Sequence, residues 1–180
     1  MIARAKITIQ SSAQGNKPVS HANEHAPVFR APANSAELGW HLDFLAPGWL
    51  TEELFPTFAP MRCAFSVAHM GMFRDEAGPH QRGFQKLLDL LRHGEGRAWV
   101  KLTGAYRMAT GPGFADAAPM AHALIEAAPD RLIWGSDYPH LSFADQVGSV
   151  QLFNLLAGWA PEDATRRRIL VDNPAALFGF

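Results

Sequence analysis

Cysteine occurs once in the 180-residue chain, at Cys63, so no disulfide can form within it. Nothing in its thiol content calls for an oxidising compartment. A charge excess of either sign is also lacking: 16 Lys and Arg stand against 17 Asp and Glu. No basic run is longer than Arg166-Arg167-Arg168, and that triplet reads as a solvated helix face. The electrostatic footprint of a nucleic-acid binder is therefore missing. No apolar run approaches the ~18 residues of a membrane span. Met1-Ile2-Ala3-Arg4-Ala5-Lys6 leads into polar residues rather than an apolar signal core. The expectation is a cytoplasmic protein with neither nucleic acid nor membrane as partner. What is plentiful is apolar residue, 48% of the chain, in a length that suits one domain.

Two textures divide the chain. Residues 1–32 read as an irregular or disordered leader. Ser11 to Pro18 is polar and turn-forming, His21 to Pro27 has no period, and a strand over Lys6–Gln10 is only faintly signalled. From residue 33 to 180, short β-rich runs alternate with amphipathic helical stretches. The runs are Trp40–Leu45, Ala64–His69, Ala98–Leu102 and Arg131–Ser136. Between them a helix is predicted near Thr51–Phe58, with Thr51 as its cap and Pro56 interrupting it. Another carries Phe84, Leu87, Leu88 and Leu91 at i, i+3, i+4, i+7 and stops at Gly94. A third carries Ala117, Ala121, Leu124 and Ile125 behind an Asp116 cap, and later helices are expected over Phe143–Gly158 and from Pro161. The β-α-β order implies parallel pairing with right-handed crossovers, in a doubly wound sheet or in half of a barrel.

In parallel α/β folds reactive groups collect where strands end. Here His69 closes the second run, Thr103-Gly104-Ala105-Tyr106-Arg107 follows the third, and Ser136-Asp137-Tyr138-Pro139-His140 closes the fourth. His41 lies on the first run. An imidazole, a guanidinium and a carboxylate at successive strand exits point to a site at the top of the sheet, without naming its reaction.

Gly39-Trp40-His41-Leu42, Val67-Ala68-His69-Met70-Gly71, Trp99 to Arg107, Trp134 to His140 and Val171-Asp172-Asn173-Pro174-Ala175 together resemble the amidohydrolase-related family of TIM-barrel hydrolases. The branch they look most like is 2-pyrone-4,6-dicarboxylate lactonase. The resemblance implies an incomplete (β/α)8 barrel with parallel strands, comprising about its last four βα units. It implies water attack on a lactone, ester or similar bond of a carboxylated small molecule. Asp137 would be the general base and His69 would polarise the scissile carbonyl. Arg107 would grip a substrate carboxylate, while His41, Tyr106 and His140 would line the pocket. Either no metal or a divalent ion such as zinc or manganese is implied, with His69 and Asp137 as its ligands if one is bound.

The chain departs from the family pattern in two places. The His-x-His pair of the family's first strand is missing, and His21 and His25, spaced i, i+4 beside Pro27, do not replace it. Ala68 stands where relatives often carry Asp. Blander readings stay open for each residue. Asp137 can cap a turn before Pro139, His69 can be a core histidine, Arg107 a surface arginine, and His41 can face either side of its strand. Half a barrel would leave Leu42, Phe44, Val100 and Leu102 facing water unless covered by the leader or by a second copy. The activity could therefore be impaired. The alternative is an inactive barrel fragment that binds a small carboxylate or a protein partner.

Overall fold

A computed structural model describes residues 35–74 and 77–180, together with the backbone of Arg4–Thr8. Five parallel strands form one sheet in chain order: β1 (Arg4–Thr8), β2 (His41–Leu45), β3 (Phe65–Val67), β4 (Ala98–Leu102) and β5 (Leu132–Trp134). Four of them are the β-rich runs expected from the sequence. The other, β1, lies in the stretch read as an irregular leader. It pairs with β2 in the register Arg4↔His41 to Thr8↔Leu45. The rest of that leader lies outside the described residues.

The helices are α1 (Gly48–Glu53), α2 (Phe55–Phe58), α3 (Arg82–His93), α4 (Ala105–Met108), α5 (Ala118–Ala127), α6 (Ser149–Trp159), α7 (Asp163–Arg167) and α8 (Asn173–Phe178). Several boundaries differ from expectation for local reasons. Thr51 lies inside α1, its hydroxyl bonded to the Ala46 carbonyl, and does not cap it. Pro56 opens α2 rather than interrupting a helix, because a first-turn proline gives up no intrahelical bond. Asp116 does not cap α5; its carboxylate accepts the Thr110 and Gly111 N–H groups and closes a loop. The helix expected from Phe143 begins only at Ser149.

Strand alternation decides between the two candidate architectures. Leu42, Phe44, Phe65, Val67, Val100, Leu102 and Leu132 point one way and pack with Phe84, Leu87 and Leu91 of α3, Leu124 of α5 and Leu156 of α6. The crossover helices therefore lie on one face, and the strand order never reverses. That is the arrangement of an incomplete (β/α)8 barrel and not of a doubly wound sheet. This also corrects the expectation for Leu42, Phe44, Val100 and Leu102. They line the helix-covered face and are fully buried.

The opposite, barrel-inner face carries His41, Asp43, Ser66, Trp99, Lys101 and Ile133. Near the strand starts, Trp99 and Ile133 pack on Leu177 and Phe178, so α8 covers that end. Asn173 pins α8 in place by donating its side-chain amide to the carbonyls of Pro129 and Leu132 at 2.8 and 2.6 Å. Higher on the same face, Lys101 Nζ lies 2.8 Å from Asp43 Oδ2, and Ser66 donates to Asp43 Oδ1. Burial works to raise the Asp43 pKa, but Lys101, with Ser66 and His41, outweighs it and holds the carboxyl below its ordinary 3.8. A depressed folded value means that the stabilisation is present above 3.8 and disappears as pH falls through the lower, folded value.

With side chains only 13% and 23% exposed, Asp43 and Lys101 meet the condition under which removing one partner strands a charge. Lys101→Met is expected to cost about 3 kcal/mol in urea unfolding at pH 7, and adding Asp43→Asn to recover much of that loss. Equal instability of the single and double variants would show that the pair is not what the lysine supports.

Candidate active site

The strand exits converge. His69 follows β3, Thr103 follows β4, Tyr106 and Arg107 lie on α4 directly beyond it, and Asp137 stands three residues past β5. Parallel pairing places all these exits at one end of the sheet, the end where α/β barrels work.

Asp137 Oδ2 is the point they share. Tyr106 donates its hydroxyl to it at 2.5 Å, Arg107 Nε donates at 2.9 Å, and His69 Nε2 lies 3.7 Å away. Burial works to raise the Asp137 pKa, but Tyr106, His69 and Arg107 outweigh it and hold the carboxyl below its ordinary 3.8. Tyr106 answers in the opposite sense. Burial and the neighbouring carboxylate push its phenol up to about 12, so it is a donor at neutral pH. The Arg107 guanidinium lies over the rings of Tyr106 and Phe143, its carbon 5.0 and 5.5 Å from their centres. Its terminal Nη2 makes only a long 3.4 Å contact with the Leu141 carbonyl. Arg74 donates to the Arg107 carbonyl at 2.6 Å and steadies α4 from outside.

Backbone conformation marks the same place. His69, Met70 and Asp137 have φ of 52°, 51° and 58°, a left-handed conformation that side chains adopt at a cost. Such outliers gather at functional sites, where the surroundings hold them. Gly104 is also left-handed, and its missing side chain matters: a Cβ there would lie 2.4 Å from His69 Nδ1. The imidazole therefore rests against bare backbone. Its Nδ1 is 2.7 Å from the Thr103 hydroxyl, which also accepts the His69 backbone N–H at 3.2 Å.

Of the residues expected at the site, the structure brings His69, Asp137, Arg107 and Tyr106 together. His140 is adjacent but turned away. Its Nε2 meets the Ser136 carbonyl at 3.1 Å, and its ring packs edge-on behind Tyr106. His41 is elsewhere. It begins β2, at the far end of the sheet, and is buried against the Phe178 ring. Thr103 is the contact at this site that the sequence pattern did not single out. Its one signal was its place directly after β4, next to Gly104.

The described residues do not fit a metal. No three His, Cys, Asp or Glu side chains gather among them. Of the two donors present, Asp137 Oδ2 already holds Arg107 Nε at 2.9 Å, and a guanidinium there repels a second cation. His21 and His25 lie outside the described residues.

The site agrees with what the chain resembles as a whole. The amidohydrolase family model matches residues 22–180. A 4-sulfomuconolactone hydrolase of Rhizobium radiobacter is 43% identical over 150 residues, 79% of this chain and 48% of that protein. A 2-pyrone-4,6-dicarboxylate hydrolase of Comamonas testosteroni is 29% identical over 153 residues, half of that protein's length. Among solved structures, a probable 2-pyrone-4,6-dicarboxylic acid hydrolase of Acinetobacter baumannii with citric acid bound superposes with a TM-score of 0.73 at 26% identity. It covers 82% of this chain and 55% of that one. The chain thus spans about half the length of the curated relatives it matches. By the family model that matches most of its length, the chain belongs to the amidohydrolase family.

Proposed function

We propose that this chain supports hydrolysis of a lactone or similar ester on a carboxylated small molecule. One observation carries the reading: an ionised carboxylate, a guanidinium and an imidazole meet at Asp137 Oδ2. Asp137 takes a proton from water, and the resulting hydroxide adds to the ring carbonyl carbon. The carbonyl electrons move to oxygen, and His69 stabilises that oxyanion. Collapse breaks the ring C–O bond, and the leaving alkoxide recovers the proton from Asp137. The net change is lactone plus water to hydroxy acid.

Arg107 has two tasks. Paired with Asp137 it keeps the carboxylate ionised but weakly basic. Its terminal nitrogens offer a fork that suits a substrate carboxylate. As the guanidinium turns to that carboxylate, Asp137 loses one donor and becomes the stronger base. Carboxylated or sulfonated lactones such as those that name the relatives are the natural probes. The pyrone-dicarboxylate branch is one candidate within that class, and the sulfomuconolactone branch, with the higher identity, is another. Tyr106 orients Asp137, and His140 supports Tyr106. His41, at the start of β2 and edge-on to the Phe178 ring, we assign to the support of α8. We place the chain in the cytosol, the compartment its single cysteine suits.

A second proposal concerns assembly. β1 and β5 are the edges of the described sheet, and an unpaired parallel edge favours another chain. Two copies would close the sheet further around the inner face.

With 4-sulfomuconolactone and 2-pyrone-4,6-dicarboxylate as substrates, Asp137→Asn is expected to lower kcat by about 10²-fold or more. Arg107→Met is expected chiefly to raise KM. Rates equal to wild type in Asp137→Asn would end the general-base assignment, whereas binding without turnover in the wild type is what the inactive-fragment reading predicts. For assembly, light scattering should give the mass of a dimer; a well-folded monomer at high concentration argues against pairing.

A further inference from the structure

We propose that Thr103 is a positioning residue that holds His69 in the tautomer with its proton on Nε2, so that the ring faces the mouth of the site as a hydrogen-bond donor and not as a metal ligand. The inference deepens the hydrolytic reading and takes its purpose from it.

Thr103 is buried, and a threonine hydroxyl has one proton to give and lone pairs to receive. Oγ1 accepts the His69 backbone N–H at 3.2 Å and lies 2.7 Å from Nδ1 of the same residue. If Nδ1 carried the proton, Oγ1 would accept twice and its own proton would need another acceptor. The described residues supply none. A buried hydroxyl left unpaired is destabilising. If the hydroxyl instead donates to Nδ1, every group in the contact is satisfied, and 2.7 Å is an ordinary length for an O–H donor. The ring proton then sits on Nε2, the nitrogen directed towards Asp137 across 3.7 Å.

Two neighbours support the assignment. Arg107 Nε, 2.9 Å from Asp137 Oδ2, competes with the imidazole for that carboxylate. Gly104, at φ +64°, keeps the ring seated: a Cβ would meet His69 Nδ1 at 2.4 Å and Cγ at 2.7 Å. Histidines that ligate metals usually give their other N–H to a carboxylate or carbonyl, groups that can only accept. A donating hydroxyl does the reverse and takes away the Nε2 lone pair that a metal would need.

The test is ¹⁵N NMR of histidine-labelled protein, with the His69 resonances assigned by their loss in His69→Gln. The wild type is expected to show the one-bond N–H coupling on Nε2 and an unprotonated, hydrogen-bonded Nδ1. Thr103→Ser should keep that pattern, and Thr103→Val should lose it to a mixture of tautomers. A wild-type proton on Nδ1, or on both nitrogens, overturns the proposal, as does a Thr103→Val spectrum identical to wild type. Should Thr103→Val fail to fold, the wild-type and Thr103→Ser spectra still decide. The readout needs no substrate. Absence of lactone hydrolysis with the proton on Nε2 removes the function but not this inference, and the proton on Nδ1 with hydrolysis intact removes only this inference.

Discussion

A single carboxylate oxygen organises the upper end of this sheet. Asp137 Oδ2 receives Tyr106 and Arg107 and faces His69, so residues from β3, the β4–α4 connection and the end of β5 are held in one cluster. Asp137 and His69 sit in left-handed backbone conformations, and the hydrogen bonds on their side chains are what make those conformations worth holding. The same contacts set the chemistry. They keep the carboxylate ionised and the phenol protonated.

Below that cluster the inner face is layered. The Asp43–Lys101 pair with Ser66 forms a polar tier, and Trp99, Ile133 and His41 form a lower tier closed by α8. Buried charge of this kind is weak evidence for stability, since apolar replacements often match it. Its value here is orientation. Lys101 lies on the inner face of β4 and Thr103 follows that strand directly, so the strand that anchors the ion pair leads straight to the hydroxyl that meets His69. Thr103 and Gly104 then act together on the imidazole, one through a hydrogen bond and the other by leaving room.

Much of this was legible from residue order. The four later strands, the α3 face of Phe84, Leu87, Leu88 and Leu91, and the strand-end placement of His69, Arg107 and Asp137 follow from period and spacing. What escaped were features that need a third dimension. A short apolar run does not say which of its faces meets helices, so Leu42 and Phe44 were assigned inward when they face α3 and its neighbours. His41 looked like a site residue because it lies in a family-like motif, yet its place at the start of β2 puts it at the wrong end. β1 hid in a polar context, because pairing with β2 supplies what its own composition does not signal. Thr103 was invisible as a functional residue because a threonine at a strand end is common and only its distance to Nδ1 distinguishes it.

The central claim is that three side chains act together on one oxygen of Asp137, and the carboxyl itself reports it. A ¹³C NMR titration of the Asp137 side chain should give a midpoint below the ordinary 3.8, moving upward in Tyr106→Phe as one donor is lost. A midpoint at or above 3.8 in the wild type, unchanged by that substitution, would contradict the account.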